Sequence, residues 1–201
     1  MDIIWKKKYE LTTQPKVYSL PDFFAMTALI SMLGFIVEDV WMLVRSGFID
    51  NRNMNLPFLL GYGIAVVGMY LLIGTPKKGH LFLYFSIVFF IISLGEILLG
   101  KTFEKMCGFY YWDYTNLPFH FTRYTSLFTS LGFSAIIMLF MYFCYEPVMQ
   151  YLHDRMTPRK RRICIAVFVL MILDMFYSFH LMHQAQNIYR TWKISFHAPI
   201  I

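Results

Sequence analysis

The sequence predicts an all-α, polytopic membrane bundle of five transmembrane helices, and three observations carry that prediction. Of the 201 residues, 58% are hydrophobic and 15% charged, against about 45–50% and about 25% in soluble domains. The apolar residues fall in long runs, each near the roughly 17–25 residues that cross a bilayer as a helix. The connections between the runs are short and polar, with no soluble domain, internal repeat or low-complexity tract evident.

Taken in order, the segment at 1–20 is polar, holds Lys6, Lys7, Lys8 and Lys16, and is expected to remain as a cytoplasmic extension. It lacks the pattern of a cleaved leader, because the apolar run behind it is too long for a signal core. The runs Phe23–Val44, Phe58–Gly74, Leu81–Leu99, Leu127–Met149 and Ile163–Met182 then place helices over 21–45, 57–74, 80–106, 123–150 and 161–186. Thr75-Pro76-Lys77-Lys78-Gly79 reads as a turn from its Pro and Gly, and Asp154–Arg162 as a basic loop. A tail over 187–201 completes a single membrane domain, 1–201. Three cysteines, two of them inside apolar runs, suggest neither a disulfide framework nor a zinc site.

The basic residues set an orientation. Alternate connections carry eleven Lys and Arg on the N-terminal side and seven on the other. The positive-inside rule then predicts a multi-pass protein of the cell membrane with its N-terminus cytoplasmic and its C-terminus outside. In this setting the net charge of +6 marks cytoplasmic loops, and no nucleic-acid partner is expected.

Gly95–Thr102, GEILLGKT, matches the Gly-x-x-x-x-Gly-Lys-Thr phosphate loop letter for letter. A phosphate loop needs a preceding strand and free backbone N–H groups at a helix start. Here the stretch lies within an apolar helix, whose N–H groups are already committed to i−4 carbonyls. The match is therefore read as false, and no cofactor is implied.

The acidic residues at membrane depth carry the functional question. An ionised carboxylate there costs on the order of 2.5–3.5 kcal/mol on insertion scales and usually faces a partner or a hydrated cavity. Glu38, Glu96 and Asp174 lie roughly 25, 22 and 17 Å along their helices at about 1.5 Å per residue. They are expected in the middle-to-outer bilayer around one cavity, or else as interhelical hydrogen-bond glue. Asp39 points about 100° away from Glu38, whereas Glu104 and Glu146 lie near membrane ends, where solvation is expected. Asp113, amid Tyr110, Tyr111, Trp112 and Tyr114, needs a donor that Arg123, Arg52 or Arg45 could supply. His180 and His183 stand three apart, but without a third ligand at clear spacing no metal site is assigned.

These residues resemble a known group. The stretches GFIVE (34–38), NRNMNLPFLLGYG (51–63), GEILLGKTFEKMCGFYYWDYTNLPF (95–119) and Asp174-x-x-x-Ser178 look like the CmpB-like proteins, the Putative ABC-transporter type IV family. The resemblance carries over to Glu38, Asn51, Arg52, Pro57, Tyr62, Gly63, Glu96, Glu104, Trp112, Asp113, Tyr114, Pro118, Phe119, Asp174 and Ser178. Departures from its pattern are Asn53 in place of a Gly, Leu56 and Leu60 in a Gly/Pro-rich loop, and His120 in place of an Asn.

The substrate or ion site candidates are accordingly Glu38, Asn51, Arg52, Tyr62, Glu96, Trp112, Asp113, Tyr114, His120, Arg123, Asp174, Ser178 and His180, with no catalytic residue assigned. The reading placed first is a permease-like or transport-associated component with a carboxylate-lined site in the outer half of the bilayer. The resemblance implies that such a component would need a separate ATP-binding subunit. The alternatives are an intramembrane enzyme acting on a lipid or isoprenoid through Glu/Asp acid–base chemistry, and a non-catalytic accessory protein with structural acids. Whether the chain is an enzyme is left open by the sequence.

Overall fold

A computed structural model describes residues 18–196; the N-terminal basic segment up to 17 and the last residues of the tail, 197–201, lie outside the described residues. The chain divides into two compact units, one of residues 18–67 and 151–196, the other of residues 68–150.

In the first unit, α1 spans Leu20–Ser46. It starts where the backbone N–H and hydroxyl of Ser19 both donate to the Asp22 carboxylate, at 2.7 and 2.8 Å, with Pro21 in the first turn, where its missing N–H costs nothing. It stops at Gly47, whose φ of 69° is the left-handed conformation that closes a helix. Strand β1, Phe48–Asp50, follows directly. α2, Leu60–Ile73, opens in this unit and carries the chain into the other.

The first unit is completed by α6, Pro158–Ala185, capped by Thr157, and by β4, Lys193–Ser195. Phe24 of α1 stacks on Phe168 of α6 with centroids 4.2 Å apart. Beyond their C-terminal ends, β1 and β4 pair antiparallel, Phe48 opposite Ser195. The two helices thus run in the same direction.

In the second unit, α2 ends at Gly74, φ 69°, and the Tyr84 hydroxyl donates to the Gly74 carbonyl at 2.8 Å. A 3-10 turn over Lys78–His80 leads into α3, Leu81–Cys107, closed by Gly108 at φ 76°. Strands β2, His120–Thr122, and β3, Thr125–Ser126, form a small antiparallel pair. α4, Leu127–Phe143, is capped by Ser126, and α5, Tyr145–Asp154, leaves it at a bend of 52°.

The helical membrane architecture agrees with expectation; the details differ. Three helices, α1, α3 and α6, are long and apolar enough to cross a membrane, or four spans if α4 and α5 count as one. The second apolar run gives only 14 helical residues, about 21 Å at 1.5 Å per residue, against a hydrocarbon core of about 30 Å. Its first residues, 57–59, belong to a loop instead, and the N–H of Leu59 donates to the Ser31 carbonyl of α1 at 3.0 Å.

The expected helix over 123–150 is shortened and broken. Residues 123–126 form a turn and a strand, and the break at Cys144 has a cause in Pro147. A proline ring clashes with the carbonyl four residues back, which is that of Phe143, the last residue of α4. The expected basic loop is largely helix, since Thr157 and Pro158 start α6 before the cationic run.

The exposed surface of α3 is largely apolar, with Phe82, Phe90 and Leu98 well exposed. Inside the first unit, small residues let backbones approach. A Cβ at Gly63 would fall inside contact distance of the Thr27 carbonyl of α1, whereas one at Gly61 would meet nothing within 4 Å. Gly63→Ala is therefore expected to lower unfolding stability in detergent by about 1–3 kcal/mol, while Gly61→Ala gains up to about 1 kcal/mol. Equal melting temperatures for the two variants would contradict this packing.

Candidate functional site

Glu38, Asp39, Asp50, Glu96, Glu104, Asp113 and Asp174 are each met by protein donors from within their own unit. In the first unit, Glu38 lies one turn beyond Gly34 on α1, and spacing of four puts both on one face. The ring of Tyr62 lies on Gly34, where a Cβ would stand 2.7 Å from its Cγ, and its hydroxyl donates to Glu38. Glycine is required here because the tyrosine occupies the space of a side chain.

The loop after β1 is pinned at both ends. Asp50 accepts from the Arg52 side chain at 2.7 Å and the Arg190 side chain at 2.8 Å, while Arg52 also reaches Asp39 at 3.3 Å. Asn51, buried, donates to the Met54 carbonyl at 2.9 Å and accepts from the Thr191 N–H at 3.2 Å. Arg52 and Asn53 both have positive φ, 45° and 61°. Asparagine tolerates that region better than most side chains, so Asn53 can replace the family's glycine.

Asp174, midway along α6, takes the far end of this loop. It accepts the Asn55 N–H at 3.1 Å, the Leu56 N–H at 2.9 Å and the Asn55 side-chain amide at 2.8 Å. The same amide donates to the buried Ser178 at 3.2 Å, and the Tyr189 hydroxyl donates to the Asn55 side-chain oxygen at 2.8 Å. An unwound stretch of backbone thus has its N–H groups satisfied by a carboxylate from a membrane helix.

The second unit repeats the tyrosine device. Gly100 and Glu104 again stand four apart, now on α3; the Tyr124 ring lies on Gly100 and its hydroxyl donates to Glu104. This corrects the expectation that Glu104 is simply solvated. With Glu104 as acceptor the proton stays on the phenol, and the Tyr124 pKa is pushed up to about 12. Glu96 accepts from the hydroxyls of Thr125, at 2.8 Å, and Ser130, at 3.1 Å, both fully buried.

Above them, Asp113 accepts the N–H and hydroxyl of Thr115 at 2.9 and 2.7 Å and pairs with Arg123 at 3.3 Å. Arg123 is thus the donor among the three considered, and its guanidinium also lies 3.9 Å from the Tyr110 ring centroid. Trp112 donates to the Tyr124 carbonyl at 2.9 Å, the Tyr114 N–H to the Arg123 carbonyl at 2.8 Å, and His120 approaches the Leu117 carbonyl at 3.1 Å. His180 and His183 are both exposed on α6.

Gly95–Thr102 is helical throughout, inside α3. Its backbone donors are spent within the helix, as a phosphate cradle forbids. Among the partners that sequence reasoning missed are Asn55, Thr115, Tyr124, Thr125, Ser130 and Arg190. Only Tyr124 left a signal, because Gly100 and Glu104 repeat the spacing of Gly34 and Glu38.

The model of the family described as Putative ABC-transporter type IV matches residues 25–179. The chain belongs to this family. No curated protein and no solved structure matches it. The family match runs from the first turns of α1 to just past Ser178, so it takes in both tyrosine devices, the loop held by Asp174 and the Trp112–Tyr114 turn. This member of the type IV family is a membrane protein whose spans are joined by acid-anchored loops.

Two predictions follow from the geometry. Tyr124→Phe removes the donor to Glu104 and is expected to cost about 1–3 kcal/mol, and Gly100→Ala about as much by crowding the ring. Because one ring mediates both effects, the double variant should cost less than the sum; strictly additive unfolding energies would refute the shared contact. The second prediction concerns acid. The Thr115 hydrogen bonds, then Arg123, hold the Asp113 carboxyl below its usual range. Its stabilisation is present above the unfolded value of about 4 and is lost as pH falls through the folded value. Protease resistance of the 109–126 loop should fall on acidification in the native chain and stay flat in Asp113→Asn.

Proposed function

We propose that this chain is the membrane-embedded, permease-like component of a transport-associated assembly, with its carboxylates acting as latches on the loops. The observation that carries the reading is Asp174, whose oxygens take two backbone N–H groups and a side-chain amide of the loop that follows β1. A latch of this kind holds a polar segment against apolar helices until a competing donor, such as a transported solute, takes its place.

In this reading Glu38, Asn51, Arg52, Tyr62, Asp174 and Ser178 form the responsive set of one unit. Glu96, Trp112, Asp113, Tyr114, His120 and Arg123 form that of the other. α2 serves as a short fifth span, the N-terminus is cytoplasmic and the C-terminus outside, in the cell membrane. ATP hydrolysis would come from a separate subunit. Closure of the acids by protein donors favours this reading over an acid–base enzyme, which needs carboxyl groups directed at a substrate. It is also compatible with an accessory role in the same assembly.

The test uses a Cys-free background with Asn53→Cys and a membrane-impermeant maleimide applied to intact cells. Asp174→Asn should speed labelling at least about fivefold, the factor set by losing one hydrogen bond of about 1 kcal/mol. Equal labelling with Asp or Asn at 174 sinks the latch. Purification of the tagged chain in mild detergent should bring a stoichiometric ATP-hydrolysing subunit, and recovery of the chain alone sinks the assembly.

A further inference from the structure

The α5–α6 corner presents a charge pattern that the latches do not use. Arg155, Arg159, Lys160, Arg161 and Arg162 fall within eight residues, and all five are exposed. Among the described residues none of the five forms an ion pair. Four of them occupy the first turns of α6, a 28-residue helix with no acid in its first turn. A helix N-terminus carries partial positive charge and favours anions, so this end concentrates cations where the helix already repels them.

The corner also has the shape of an interfacial element. α5 is a ten-residue amphipathic helix that turns 52° away from α4. Tyr145 and Met149 are buried on one face, and Tyr151 is exposed on the other. The Arg155 guanidinium lies 3.7 Å from the Tyr151 ring centroid, which suits a headgroup boundary where an aromatic ring and a cation both have partners. The long Arg and Lys stems at the start of a span can lie along apolar surface with their heads at the phosphate level.

We propose that this corner is a binding surface for anionic phospholipid headgroups, with the five cations engaging several lipid phosphates of the facing leaflet at once. The chemistry is electrostatic and multivalent, each cation adding to attraction by a negative surface. It does not depend on the loop latches, because none of the five touches them.

The test reconstitutes the full chain in phosphatidylcholine containing phosphatidylglycerol, re-extracts it gently and measures the co-purified lipid ratio by mass spectrometry. The native chain should enrich phosphatidylglycerol over the bulk, and replacing all five cations by Gln should reduce that enrichment about tenfold or more. Lys101→Gln with Lys105→Gln, a cation loss elsewhere, should retain it. Equal enrichment in the native chain and the five-site variant overturns the proposal. Should the variant fail to insert, the native chain decides by salt: enrichment must fall between about 0.05 and 0.5 M NaCl, and indifference overturns it. Inorganic phosphate that raises melting temperature as much as phosphatidylglycerol does would assign the surface to a free anion and overturn the membrane source.

Discussion

A carboxylate carried into an apolar layer is costly unless donors meet it, and that constraint shapes how the loops of this chain sit on its helices. Burial without partners costs several kcal/mol for an ionised group, and three acids show how donors are brought to meet that cost. Asp174 recruits backbone N–H groups, Glu96 recruits two hydroxyls, and Asp50 recruits two arginines. The consequence for the fold is that loops are drawn against helices that would otherwise present only apolar side chains. The polar segment after β1 is ordered because an aspartate midway along α6 supplies what water would have supplied.

The pairing of glycine, tyrosine and glutamate shows how the same requirement is met twice with little sequence in common. Gly34 with Glu38 and Gly100 with Glu104 each create a notch beside an acceptor, and a tyrosine fills both at once. The ring contributes apolar contact and the hydroxyl satisfies the acid, so one amphipathic side chain meets both needs. The two tyrosines come from different places, Tyr62 from α2 and Tyr124 from the strand pair before α4. This explains why no repeat is visible along the chain: the device recurs, while the segment lengths around it do not.

The family pattern gains physical content from these contacts. Asn53 stands at φ 61°, where a glycine would be easier but an asparagine is accepted. Ser178 is paired with the loop amide that also reaches Asp174, which accounts for an Asp and a Ser spaced one turn apart. Trp112, Asp113 and Tyr114 act through separate partners, a carbonyl, a threonine with an arginine, and a backbone acceptor. The block therefore shapes its own loop, and its density of aromatic rings reflects local closure.

By itself, the sequence determined that the chain is helical and membrane-bound, because hydropathy summed over some twenty residues is a local property that no later contact reverses. It also singled out Glu38, Glu96 and Asp174, since charge at apolar depth is visible in one dimension. Tertiary structure alone decided who answers those charges. Asn55 lies 119 positions from Asp174 and Arg190 lies 140 from Asp50, and no periodicity encodes such a pairing. It likewise decided where apolar helices end: Pro147 breaks one through a clash with a carbonyl, and Leu59 stays outside another to bond α1. Hydropathy reports transfer of a side chain into lipid, while span length and acid partners depend on backbone hydrogen bonds that form only when distant segments meet.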